Sequence, residues 1–150
     1  MRWRARPTSS APTASRTDPV PVLDASVCVD ALAVAGPVGD AARAELRNHA
    51  LLEVPSVFAA EATSALRGMV RRGDLSQVRA AAAIEQLRTV RALQYPFEPF
   101  IDRVWQLRDN LTVYDAWYVA LAEWLATDLV TTDRRLIEAP GLRCHVRPPG

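Results

Sequence analysis

The stretch LTVYDAWYVALAEWLATDLVTTDRRL, residues 111–136, reads as a helix, a short turn and a buried strand. Asp115 stands near the start of the helix and Asp133 just past the strand. A helix over 113–126 spans roughly 20 Å, and the apolar run 129–131 with its flanks returns roughly 13 Å. Successive elements in α/β layers pack back along one another. On that geometry Asp133 arrives at the end that carries Asp115, and two acids far apart in sequence become neighbours.

Working outward, the whole chain of 150 residues is 49% hydrophobic, enough for one domain with a real core. The formal net charge of +1 is unevenly placed. Residues 1–19 carry Arg2, Arg4, Arg6 and Arg16 against Asp18, so the remainder is net acidic. Bulk charge therefore gives no argument for a nucleic-acid partner, which local arginines or a bound metal would have to hold. All 18 basic residues are arginine, a bias that fits a GC-rich genome and excludes any mechanism that needs a lysine. Cys28 and Cys144 lack the spacing of a disulfide framework or zinc site, and a reducing cytosol is the default compartment. No apolar run reaches the ~18 residues needed to span a membrane.

Order begins near Val20 with a short strand, VPVLD. Helices follow over 26–35 and 38–48, the first stopped by Gly36–Pro37. A strand over 51–54 precedes a long helix over 55–72, with Pro55 at its first position and Gly73 at its end. The remainder reads as a helix over 76–88, a strand over 90–95, a helix closing near 108–110, the opening stretch and a final edge strand over 143–146. Short apolar strands alternating with helices imply a parallel sheet covered on both faces, with the site beyond the carboxyl ends of the strands.

Asp24, Asp115 and Asp133 all lie where a strand hands over to a helix or just inside a helix. Each also suits a helix cap or the positive end of a helix dipole. Glu61 resembles a cap least. Its helix face holds Val57, Phe58, Ala65 and Gly68, and a carboxylate there needs a partner, either an arginine or a cation. Four converging acids repel one another, and oxygen-only ligands suit Mg²⁺ or Mn²⁺. Such an ion lowers the pKa of a bound water and stabilises charge on a phosphate. Ser26 and Thr132 offer hydroxyls for substrate or water, with helix capping as the competing role for both. Arg134 and Arg135, beside Asp133, are the candidates for binding phosphate. Arg67, Arg71 and Arg72 read as a solvated helix face. Trp105, Trp117 and Trp124 are spaced for packing in a core or between subunits. His49 follows a helix end, and His145 falls in the last strand; neither reads as a metal ligand.

LDAS at 23–26, PSVFAAEATSALR at 55–67 and the opening stretch together resemble the PIN-domain ribonucleases of the VapC toxin type, over residues 20–147. The resemblance implies a three-layer α/β/α fold around a central, mainly parallel sheet. It implies a Mg²⁺-dependent endoribonuclease that acts on structured RNA such as tRNA or rRNA. It also implies a cytoplasmic homodimer silenced by a cognate antitoxin. Carried over residue by residue, the family's acids fall on Asp24, Glu61, Asp115 and Asp133. Asp24 and Asp115 are expected to hold the main ion, with Glu61 and Asp133 completing the site through water or a second ion. Ser64 departs from the pattern, standing where many relatives carry asparagine.

Haloacid-dehalogenase-like phosphatases want a second aspartate where Ser26 stands, and a lysine; response-regulator receiver domains also want a lysine. A catalytically silent PIN-like binding or dimerisation module is the other alternative, but it has no reason to keep four acids together. Residues 1–19, rich in Arg, Pro, Ser and Thr, read as a disordered tail. The family tends to begin at the first strand, so this tail is expected to reflect a start codon placed too early. Mass spectrometry of the native N-terminus tests that expectation, and a peptide containing Trp3 would overturn it.

Overall fold

Val22–Leu23 (β1) is two residues long, yet it forms the middle of the sheet. In the computed structural model, which describes residues 19–150, β1 pairs on one side with β2 (Leu52–Pro55) and on the other with β4 (Leu129–Val130). With β3 (Ala92–Tyr95) beyond β2 and β5 (Val146–Arg147) beyond β4, the order is β3-β2-β1-β4-β5, and every pairing is parallel. Val22, Leu23, Leu129 and Val130 are completely buried, as expected of short apolar strands covered on both faces. The tail read over residues 1–19 lies, apart from Pro19, outside the described residues.

Helices flank this sheet. α6 (Val113–Leu125) packs across β2, β1 and β4, and its other side meets α5 (Ile101–Gln106) and the 3-10 turn Glu98–Phe100. Every residue from Ala116 to Ala122 is buried, which is how a helix apolar all round is accommodated. Trp117 meets Phe97 edge-on at 4.9 Å, and Trp124 meets Tyr95 and Phe100. α1 (Ala25–Ala33) packs against α2 (Pro37–Arg47), α3 (Phe58–Arg72) and α4 (Gln77–Leu87). A Cβ on Gly39 would fall 1.8 Å from the carbonyl oxygen of Val34, so only glycine lets α2 cross the end of α1 this closely. Arg43 then donates to the carbonyls of Ala31 and Val34, which α1 leaves unpaired at its end.

The turn after α6 is tight. Ala126 takes a left-handed conformation (φ 54, ψ 47), at a cost on the order of 1 kcal/mol for a residue with a Cβ. The chain thereby reverses directly into β4, as expected for the 111–136 stretch.

Two local expectations are corrected. Pro55 ends β2 instead of starting a helix, and α3 begins at Phe58. The register Val22↔Glu53 puts Pro55 level with Asp24, past the last residue of β1, so its missing N–H costs no ladder bond. The last strand is Val146–Arg147 and not 143–146, because the Arg143 N–H is taken by the Glu123 carboxylate. His145 accordingly precedes that strand and faces Asp128 at 3.4 Å. Of the two packing roles read for Trp105, the core is excluded: it is 66% exposed, with the Arg108 guanidinium 4.9 Å above its ring. Among the described residues no single helix is long and apolar enough to cross a membrane.

One largely buried ion pair stands away from the strand tips. Arg103, 9% exposed, donates to Glu123 through Nε (2.7 Å) and a terminal nitrogen (2.9 Å), and to the Gly141 carbonyl. Glu123→Ala would strand this guanidinium, and is expected to lower stability by about 3 kcal/mol in urea unfolding. Arg103→Leu/Glu123→Leu together are expected to cost less than that single change.

Candidate active site

The strand order reverses between β1 and β4, and the loops that leave these two strands meet at that switch point. In open parallel sheets this is where ligands bind. Asp24 follows β1, and its N–H donates to the Val130 carbonyl at 2.9 Å. Its carboxylate does not cap α1. Instead Oδ2 accepts from the Ser26 hydroxyl (2.5 Å) and the Thr131 hydroxyl (2.7 Å). Ser26 Oγ in turn accepts the Thr132 N–H, and Thr131 Oγ1 accepts the Asp133 N–H. Burial raises the Asp24 pKa, the two hydroxyls partly oppose this, and the charge of Asp115 adds to it.

α3 and α6 bring two more acids. Glu61, half-buried in the first turn of α3, accepts a hydrogen bond from the Tyr118 hydroxyl at 2.7 Å. Its pKa is raised first by burial, with the Tyr118 bond opposing and the charges of Asp24 and Asp115 adding. Tyr118 is fully buried on α6, three residues after Asp115 and so on the same face. Burial, together with the neighbouring carboxylates, raises its pKa, so the phenol stays a donor. At the start of α6 the Thr112 hydroxyl donates to Asp115 Oδ2 (2.7 Å) and accepts the Asp115 N–H (3.2 Å).

Asp24, Glu61 and Asp115 thus lie within range of one another's charge, and each has hydroxyl partners. Among the described residues none of the three forms an ion pair. A hydroxyl satisfies a carboxylate without cancelling its charge. Asp133 differs. It caps α7 (Arg134–Ile137) through the Arg135 N–H and holds the Arg135 guanidinium at 3.0 Å, and that arginine lowers its pKa. The Asp133 N–H meets Thr131 Oγ1, which itself donates to Asp24, so the Asp133–Arg135 pair stands at the rim of the acidic centre.

The remaining nominated residues are placed as follows. The Ser26 hydroxyl is committed to Asp24. The Thr132 hydroxyl bonds Asp30, a partly buried carboxylate that the sequence reading passed over. Arg134 is largely exposed, 4.0 Å from Glu138. Thr131 and Tyr118 were missed as well, whereas Thr112 caps α6 as its spacing from Asp115 predicts. For Tyr118 the signal was present, because a phenol inside an apolar helix needs a hydrogen-bond partner.

Among the described residues no three acidic, histidine or cysteine side chains are already drawn together at ligand distance. The trio nonetheless suits Mg²⁺, which keeps several waters and binds through one or two carboxylates. A larger cavity, about 960 Å³, opens at the opposite ends of the strands around Glu45, His49 and Asp128, and it holds none of the four nominated acids.

This fold and acidic centre define a class that the comparisons identify. The PIN domain family matches residues 22–142. Ribonuclease VapC1 of Mycobacterium tuberculosis is 41% identical over 127 residues, which cover 84% of this chain and 95% of that protein. Ribonuclease VapC3 of the same organism is 41% identical over 118 residues, covering 79% and 85%. The crystal structure of PAE2754 from Pyrobaculum aerophilum has the same fold, with a TM-score of 0.62 at 22% identity over 85% of this chain and 83% of that one. The chain belongs to the PIN-domain family, and within it to the VapC type.

The raised Asp24 has a consequence for stability. A carboxylate whose folded pKa exceeds its unfolded value stabilises below the unfolded value, and that contribution is lost as pH rises through the folded one. Without metal, Asp24→Asn is therefore expected to out-melt wild type at neutral pH. The advantage should shrink toward pH 4. Mn²⁺ should raise the melting temperature of wild type and leave Asp24→Asn unmoved; equal shifts in both would count against a cation at Asp24.

Proposed function

We propose that the protein is a divalent-metal-dependent endoribonuclease, the toxin of a toxin–antitoxin pair, with its activity in residues 20–147. The observation that carries this reading is the trio Asp24, Glu61 and Asp115: acids from three separate elements, satisfied by hydroxyls and left unneutralised. An acidic centre built this way would repel RNA phosphates unless a cation sat between them. The similarity to proteins described as ribonucleases supports the same reading.

In this proposal Asp24 and Asp115 hold Mg²⁺, with Mn²⁺ as a substitute. Bound there, the ion would supply a water of lowered pKa and positive charge against the phosphate. The chain's own groups do the rest. Ser26 and Thr131 hold Asp24 by one oxygen, which fixes how the carboxylate faces the centre. Tyr118 orients Glu61, whose raised proton affinity suits it to position the attacking water and accept its proton. Asp133 stands at the rim and contributes through water, while Arg135 restrains it. In-line attack on an RNA phosphodiester then leaves 5′-phosphate and 3′-hydroxyl ends. Structured RNA, tRNA or rRNA, is the proposed substrate. The cytoplasm is the proposed compartment, a homodimer the proposed assembly and a cognate antitoxin the proposed inhibitor.

Total RNA incubated with the purified protein and Mg²⁺ is expected to be cut. EDTA should abolish the cutting, and Asp24→Ala or Asp115→Ala should slow it by about a hundredfold or more. Cleavage that persists in EDTA or survives Asp24→Ala rules the mechanism out.

A further inference from the structure

An acid-lined centre attracts a metal but repels the polyanion it is to cut. Affinity for RNA must therefore come from base faces and from cations set back from the acids. Tyr114 is the residue just before Asp115, and it is 54% exposed although the helix behind it is buried. Its ring lines a groove of about 630 Å³ whose other wall is α3, from Glu61 through Ser64 and Gly68 to Arg72. The groove therefore begins at one of the three acids and ends at Arg72, whose backbone lies ~16 Å further along the helix. A Cβ on Gly68 would come within 3.2 Å of the Arg72 guanidinium, so the arginine lies back over the glycine along the groove. Asp74 holds Arg72 through Nε at 2.8 Å, and the side chain stays 64% exposed.

We propose that Tyr114 and Arg72 form a subsite for a single-stranded RNA segment adjoining the cleaved bond, with a base stacked on the Tyr114 ring and a phosphate against Arg72. The assignment rests on the ribonuclease reading above and adds the form of the substrate at the site. A duplex keeps its base faces inside the stack, where the ring cannot reach them. A loop or an unpaired end presents them.

The test uses the full chain, with Ca²⁺ in place of Mg²⁺ to hold cleavage back, and fluorescein-labelled oligoribonucleotides, single-stranded and as the matching duplex. Tyr114→Ala is expected to weaken single-strand binding about tenfold, while Tyr114→Phe stays within about twofold and duplex affinity does not change. Arg72→Gln is expected to lower the salt dependence of single-strand binding by about one ion. Sedimentation and melting of the same samples should be unaltered, since both side chains are exposed. Unchanged single-strand affinity in Tyr114→Ala, which would leave the groove to a protein partner, overturns the assignment. So does a loss accompanied by a change in oligomeric state, because the ring would then be a subunit contact. The two readings separate cleanly. Single-strand binding through Tyr114 without any cleavage in Mg²⁺ overturns the nuclease and keeps the subsite. Metal-dependent cleavage with Tyr114→Ala binding normally does the reverse.

Discussion

The join between the carboxyl ends of β1 and β4 is the constraint on which this structure depends. Each strand has two residues, so the ladder between them supplies few hydrogen bonds. Side chains extend the pairing past the strand ends. Thr131 reaches Asp24 across 107 positions of sequence, Ser26 accepts the Thr132 N–H, and the Asp24 N–H closes on Val130. The same bonds that hold the sheet at its switch point hold the first acid of the centre. Fold and site cannot be separated there.

How the protein treats its carboxylates separates structure from chemistry. Away from the strand tips, buried acids meet arginine: Glu123 with Arg103, and Glu45 with Arg147 at 3.0 Å. There charge is cancelled and desolvation is offset. At the centre the partners of Asp24, Glu61 and Asp115 are Ser, Thr and Tyr hydroxyls. Their hydrogen bonds favour the charged forms, but burial and mutual repulsion win for Asp24 and Glu61, whose pKa values are raised. Three such acids stand within range of one another's charge at the centre, where a bound cation would relieve their repulsion.

α6 links the two. Its middle is buried against the sheet and the aromatic cluster, so its axis cannot shift without disturbing the core. From this fixed helix come Asp115, the hydroxyl that orients Glu61, and the exposed ring of Tyr114. A site carried on an immobile element is positioned more closely than one carried on loops.

Much of this was legible in residues 111–136. The apolar helix, the turn and the buried strand follow from periodicity and length, and parallel order follows from the alternation of elements. Asp24, Asp115 and Asp133 stood out because each sits at a boundary where strand becomes helix. Their roles were not legible, because a cap and a ligand use the same residue at the same position. Local pattern also misplaced Pro55, whose fit at a helix start is equalled by its fit at a strand end whose N–H side has no partner in β1. By itself, then, the sequence determined the α/β class and the order of the elements, since these depend on local periodicity, and it nominated Asp24, Asp115 and Asp133 by their place at strand and helix ends. Only the tertiary structure decided which acids keep their charge. Neutralisation depends on which side chain arrives from a distant element, an arginine at Asp133 and hydroxyls at Asp24, Glu61 and Asp115. That is set by packing across the sheet, and no window of sequence contains both partners of the Tyr118–Glu61 bond.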